Sequence, residues 1–251
     1  MSAGEIIAIA LAGAAAGAIN TLVGSGTLIT FPVLLAFGYP PVTANVSNNI
    51  GLVPGSASGA WGYRAELAGQ RATATRLIPC SVAGAICGAV LLLALPPKAF
   101  EVVIPFIIAL SLMLIVLQPR IGGLLARRTR PNRAHGVGPI SALGIFATGI
   151  YGGYFGAAQG ILLLSLLQLG PALELQRANA LKNVLAGTAN ATAGLIFVFA
   201  AHVAWLPALL IAGGSIIGAQ VAARYGRRLS PNALRALIVF VGVVAIAKLL
   251  A

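Results

Sequence analysis

The sequence predicts an all-α polytopic membrane protein made of two inverted repeats, each a broken or re-entrant helical hairpin followed by three transmembrane helices. Three observations carry that expectation. The chain is 59% hydrophobic and only 8% charged, with a mean hydropathy of +0.98, whereas soluble domains carry roughly 25% charged residues. It also repeats itself. Leu95, Pro97 and Ala99 match Leu229, Pro231 and Ala233, and the same offset pairs Ala44, Asn45 and Asn49 with Ala178, Asn179 and Asn183. A nearby offset pairs Gly17, Gly24 and Gly38 with Gly149, Gly156 and Gly170. Finally, matching loops carry opposite charge character. The turn at 95–101 sets Lys98 against Glu101, while its counterpart is flanked by Arg224, Arg227, Arg228 and Arg235. The 64–76 loop holds Arg64, Arg71 and Arg76, while the stretch from His202 to Pro207 holds no Lys or Arg. Basic loops stay cytoplasmic, so equivalent loops fall on opposite sides of the membrane.

The elements follow in order. The N-terminus, MSAGEII, lacks the basic region of a secretory signal and reads as part of the mature chain. Segment 5–37 is too long for one crossing and short for two, and Gly24-Ser25-Gly26 interrupts it. Spans are expected at 43–62, 76–95 and 99–118. Each is long enough for a hydrocarbon core of roughly 30 Å. The connector 119–138 carries Arg120, Arg127, Arg128, Arg130 and Arg133 and is expected to be cytoplasmic. Segment 140–170 repeats the interrupted pattern, with Gly152-Gly153 and Gly156-Ala157-Ala158-Gln159-Gly160 at its break. Further spans are expected at 178–200, 204–223 and 233–250. Glycine costs roughly 1 kcal/mol in a helix interior, so both clusters mark turns or unwound backbone. Loops 64–76, 119–138 and 224–235 all lie inside only if each interrupted segment crosses an even number of times. Each copy then makes an odd net crossing, which inverts the second copy relative to the first. The units are 1–118, the connector 119–138, and 139–251.

Irregular backbone survives at membrane depth only when buried in protein or lining a wet cavity. The two breaks therefore predict a central polar site. A helix beginning after each break aims free amides into it, and such starts favour anions. The candidates are Gly24, Ser25, Gly26 and Thr27, and Gly156, Ala157 and Gln159, with Ala158 beside them. A packing kink without ligand contact is the alternative. Asn45 and Asn49, and Asn179 and Asn183, are each i, i+4 pairs sharing a helix face. Their amides suit an oxyanion or its bridging water. For Asn45 and Asn179, helix capping is a competing role. Lys182 either attracts the anion or snorkels to the surface. Asn20, Ser56, Thr188 and Asn190 are weaker lining candidates. Gly13-xxx-Gly17, Gly84-xxx-Gly88 and Gly214-xxx-Gly218 allow close helix packing, within the bundle or between copies of the chain, which leaves a homo-oligomer open.

Other classes are disfavoured. A net charge of +12 suggests nucleic acid in a soluble chain. Here the basic residues fall in three short loops, where they orient the chain and meet anionic lipid. Cys80 and Cys87 lie two helical turns apart, about 10.5 Å of rise, too far for a disulfide, and small apolar packing is their expected role. No metal-ligand spacing, cofactor motif or catalytic signature is present, so no enzyme is expected. There is no Asp, and Glu5, Glu66, Glu101 and Glu174 fall near element ends.

The block GAINTLVGSGTLITFPVLLAFGYPP, followed by AN and NN at residues 44–49, and its echo GGYFGAAQGILLLSLLQLG with RANALKN, resemble the sulfite exporter TauE/SafE family, also called the 4-toluene sulfonate uptake permeases. The likeness spans essentially the whole chain. It implies a multi-pass protein of the bacterial inner membrane that moves sulfite, sulfonates or other organosulfur anions. The chain shows GSG where many relatives show a richer glycine run. A secondary transporter with alternating access is the leading expectation. An anion or small-solute channel and a membrane assembly subunit are the rivals.

Overall fold

The computed structural model describes residues 1–128, 138–169 and 173–226, with 236, 238–240 and 243. Among the described residues every regular element is a helix: α1 (Ala3–Leu22), α2 (Thr27–Ala36), α3 (Pro41–Gly62), α4 (Arg71–Ala94), α5 (Pro97–Arg128), α6 (Pro139–Tyr154), α7 (Gln159–Leu169), α8 (Leu175–Ala200) and α9 (Trp205–Tyr225). Most of the span expected at 233–250, together with residues 129–137, Gly170, Arg227, Arg228 and Arg235, lies outside the described residues.

Local chemistry sets the helix starts. Ser2 and Glu5 form a reciprocal capping box at the start of α1, which satisfies two orphan donors. Pro41 and Pro139 stand in the first turn of α3 and α6, where a missing N–H costs nothing. Several helices outrun the expected spans. α4 begins at Arg71, so Arg71 and Arg76 lie on its first turns rather than in a loop. α5 continues to Arg128, into the expected connector. In both cases the helix extends past the apolar run, because basic residues are good helix formers once outside the hydrocarbon.

Among the described residues five helices are long and apolar enough to cross a membrane: α1, α4, α5 over Pro97–Gln118, α8 and α9. α3 is not among them. It carries Asn45, Ser47, Asn48, Asn49 and Ser56, all buried, so its polar groups face protein rather than lipid. The interrupted segments resolve into uneven arms. α1 has 20 residues and α2 has 10; α6 has 16 and α7 has 11. At 1.5 Å per residue the first arms are about 30 and 24 Å long and the return arms about 15 and 16 Å.

The glycine pairs build the bundle. α1 packs parallel to α9: Gly13 and Gly17 face Ile211 and Ser215, while Gly214 and Gly218 face Ala10 and Ala14. α4 packs parallel to α6, with Gly84 on Phe146 and Gly149 and Gly88 on Ile150 and Tyr154. A Cβ at Gly218 would stand 1.8 Å from the Ala14 carbonyl oxygen, and one at Gly88 2.0 Å from that of Ile150. All three sequence pairs therefore serve contacts inside the bundle. α3 also runs parallel to α9, through Gly51 at Ile211, Gly55 at Ser215 and Gly62 at Ala223. α8 runs antiparallel to α3, with Gly187 against Ser56 and Gly194 against Asn49 and Ile50.

Matching residues make matching bonds. Ser81 Oγ donates to the Leu185 carbonyl at 2.9 Å, and its counterpart Ser215 Oγ donates to the Gly51 carbonyl at 3.0 Å. Large apolar side chains such as Leu11, Phe106, Phe199, Leu209 and Ile217 point outward, as a lipid-facing surface requires. Cys80 and Cys87 are both free. Cys80 is half-buried and Cys87 is exposed on α4.

Candidate functional site

The two breaks touch. The Gly160 amide donates to the Gly24 carbonyl at 3.0 Å, and a Cβ at Gly24 would lie 2.3 Å from the Gly160 Cα. Only hydrogen fits there. Gly24 and its counterpart Gly156 share the left-handed region, at φ +85° and +78°, which glycine adopts without steric cost. Ala158 is also left-handed, at φ +59°, a conformation costing an L-residue roughly 1–2 kcal/mol. The sequence marked this stretch as irregular but gave no sign of strain at an alanine.

α2 and α7 begin at equivalent residues, Thr27 and Gln159, directly after the breaks. The α2 start has no side-chain cap. The amides of Ser25, Gly26, Thr27, Ala157 and Ala158 meet no protein acceptor among the described residues. Gly26 packs against the Ala16 carbonyl. Ser25 is buried with its Oγ unpartnered.

The first arms end on the asparagines. α1 exposes the carbonyls of its last turn, and α8 covers them. Asn179 Nδ2 reaches the Thr21 carbonyl at 3.2 Å and Asn183 Nδ2 reaches it at 3.3 Å. Lys182 Nζ donates to Asn20 O at 2.9 Å and Thr21 O at 3.1 Å. At the other break, Asn45 Nδ2 donates to Tyr154 O at 2.9 Å. Asn45 and Asn179 both sit in the second turn of their helices, so they do not cap α3 and α8. They close the carbonyl ends of α1 and α6 instead. Lys182 is fully buried, so its ammonium does not snorkel to a surface. The oxygens of Asn45, Asn49 and Asn179 are buried without a partner.

The remaining polar groups form smaller clusters. Asn48 Nδ2 donates to Thr27 Oγ1 at 3.2 Å, and Thr30 Oγ1 donates to Asn48 Oδ1. Ser111 of α5 reaches the Ala157 carbonyl at 3.1 Å and Tyr151 Oη at 2.8 Å, and Tyr151 also donates to Ala157 O. Gln159 folds over Gly152, with Nε2 3.4 Å from the Thr148 carbonyl. It stays within its own hairpin and comes near the first break only through its neighbour Gly160. Asn48, Thr30, Ser111 and Tyr151 were not singled out from the sequence. The run of polar letters from Asn45 to Asn49 was the available signal for Asn48.

A cavity of about 330 Å³ lies between α3 and α8, lined by Val53, Ser56, Ala57 and Ala60 on one side and Asn183, Val184, Gly187, Thr188 and Ala191 on the other. Its walls are mostly small apolar side chains. Asn20 Nδ2 donates to Ser56 Oγ at 3.2 Å, and Asn183 links the wall to Thr21, so the chamber abuts the end of α1. Further along the α3–α8 crossing, Gly194 packs against Asn49 and Ile50, as Gly187 packs against Ser56. Asn190 is nearly buried and is not among the lining residues.

The family model for Sulfite exporter TauE/SafE matches residues 9–249. The chain belongs to the sulfite exporter TauE/SafE family. Curated relatives agree with this membership. The chain is 26% identical over 235 residues to the probable membrane transporter protein YfcA of Escherichia coli K12, covering 94% of this chain and 86% of that one. It is 27% identical over 238 residues to the probable membrane transporter protein ORF9 of a Sinorhizobium species, covering 94% and 88%. A probable membrane transporter protein of Haemophilus influenzae is 23% identical over 239 residues, covering 94% and 91%. No solved structure matches. This TauE/SafE member is thus a multi-pass membrane transporter.

Proposed function

We propose that the protein is a secondary transporter working by alternating access, which moves a small anion, a sulfur oxyanion such as sulfite, a sulfonate or another organosulfur acid, across the bacterial inner membrane. The observation that carries this reading is the contact between the two breaks. It sets the Gly24 turn, next to the bare amides of Ser25, Gly26 and Thr27, against Gly160, next to those of Ala157 and Ala158 in the chain. Free N–H groups at helix starts are anion sites without further chemistry. The substrate anion takes its donors from Ser25, Gly26 and Thr27 and from Ala157 and its neighbours. Asn49 and Asn183 form the walls, and Gly24 and Gly156 allow the turns. Lys182 lends its charge from behind the α1 carbonyls rather than by direct contact.

The two copies are inverted in this reading. In support, α3 and α8, which are sequence equivalents, run antiparallel, and the equivalent pairs α1–α9 and α4–α6 both run parallel. The chamber beside Ala60 then corresponds to one end of the cycle, with access from the 63–70 side. Pro54, near the middle of α3, removes one helix hydrogen bond where the crossing must rock.

Flux of labelled sulfite and of a sulfonate into proteoliposomes tests the assignment. Asn49→Ala combined with Asn183→Ala is expected to lower flux at least tenfold, about 1.4 kcal/mol of barrier, with an unchanged elution profile. Undiminished flux contradicts the assigned walls. Counterflow separates the transporter from a channel, since only a carrier shows trans-stimulation.

A further inference from the structure

Lys182 is the most unusual group in the molecule. Its side chain is fully buried, and no carboxylate is buried with it: Glu5 and Glu66 are half-buried, and Glu101 and Glu174 are exposed. A buried ammonium is costly unless its donors are met. Here two of its three N–H groups meet main-chain oxygens, Asn20 O at 2.9 Å and Thr21 O at 3.1 Å. These are last-turn carbonyls of the first arm, the negative end of the helix dipole. The same Thr21 oxygen accepts from Asn179 and Asn183. Asn179, whose nitrogen is fixed by that carbonyl, leaves its own oxygen buried and unpartnered.

Carbonyls converging at the C-terminal end of a broken helix are the donor set with which broken-helix transporters hold a coupling cation. In this chain the cation is already present and covalently attached. We propose that Lys182 is a tethered substitute for a coupling sodium ion, which ties the end of α1 to α8 and makes the protein independent of sodium. This rests on the broken-helix transporter reading for its meaning, but its geometry stands without any substrate. The other copy differs. Asn48, the counterpart of Lys182, turns to Thr27 and Thr30, and among the described residues the Tyr154 carbonyl at the end of α6 receives the side-chain amide of Asn45 and no lysine. The cation belongs to one hairpin alone.

Lys182 acts through α1, so it is a positioning residue. Its test needs a readout that loss of packing alone would not move. The melting temperature of the purified full chain is measured in sodium chloride, methylammonium chloride and choline chloride at equal ionic strength. Wild type is expected to melt at the same temperature in all three. Lys182→Ala is expected to melt about 5 °C lower or more in choline and to regain part of that loss in sodium or methylammonium, which are small enough to enter the vacated cradle. Three results overturn the proposal: a wild type stabilised by sodium over choline, a variant as stable as wild type in choline, or a destabilised variant indifferent to both small cations. If the variant does not survive extraction in choline, extraction in methylammonium or sodium is the same test, and recovery in neither overturns it. Because no transported anion takes part, this outcome is separate from that of the flux assays. Sodium-stimulated wild-type flux also contradicts the proposal, whatever the transported anion.

Discussion

At the scale of single residues, Gly24 and Gly160 fix the site. Each lacks room for one methyl group, since a Cβ would fall 2.3 Å from Gly160 Cα or 2.4 Å from Gly24 Cα. Gly24→Ala is expected to reduce flux more than tenfold and to lower the melting temperature. Gly38 is the control: it is also left-handed, at φ +82°, but a Cβ there meets nothing within 4 Å. Gly38→Ala should show only the conformational cost of roughly 1–2 kcal/mol and keep its flux. Equal effects at both positions would remove the close contact from the account. The glycines of the breaks and the buried asparagines of the candidate site stood out in the sequence because their letters carry backbone freedom and paired donors and acceptors. Their partners did not. Asn179, Lys182 and Asn183 converge on the carbonyls of Asn20 and Thr21, and a main-chain oxygen leaves no mark in the sequence. The i, i+4 spacing told that Asn45 and Asn49 share a face, but not that one of them would close the end of a helix more than a hundred residues away.

At the scale of elements, helix contacts replace the missing hydrophobic drive between helices in lipid. The α1–α9 and α4–α6 pairs depend on glycine backbones in direct contact. Gly218→Leu is expected to separate α1 from α9 and abolish monodisperse protein in detergent chromatography. Gly213→Leu, one residue before Gly214 and with nothing within 4 Å of a Cβ, should elute as wild type. A tolerated Gly218→Leu would mean that the pair does not hold the bundle together. The small-xxx-small spacing predicted that these faces pack, though the choice between internal and intermolecular contact needed the partner helix. Element ends were the least legible feature. α4 and α5 run on into basic stretches, because apolar length measures the hydrocarbon and not the helix. α3 illustrates the reverse case. Its buried polar residues keep it out of the apolar class, yet it sits at the centre, packed on α8 and α9.

At the scale of the whole molecule, the duplicated pattern and the loop charges led to a bundle whose equivalent helices meet. The equivalent serines Ser81 and Ser215 bond equivalent carbonyls, and α3 crosses its own counterpart α8 antiparallel. The position of the chamber, beside Ala60 and Asn183, was not legible in the sequence, since both ends of the crossing are built from nearly the same residue types. That placement is the basis of the proposed cycle: the chamber lies in the half of the α3–α8 crossing nearer residues 63–70, which lead into Arg71 and Arg76 of α4. The most direct test is the reaction of Ala60→Cys, with Cys80 and Cys87 replaced by Ala, with a membrane-impermeant maleimide applied to sealed vesicles of either orientation. The account predicts modification from the cytoplasmic side alone, slowed by a saturating sulfonate. Modification from the opposite side, or a rate indifferent to the sulfonate, would contradict it.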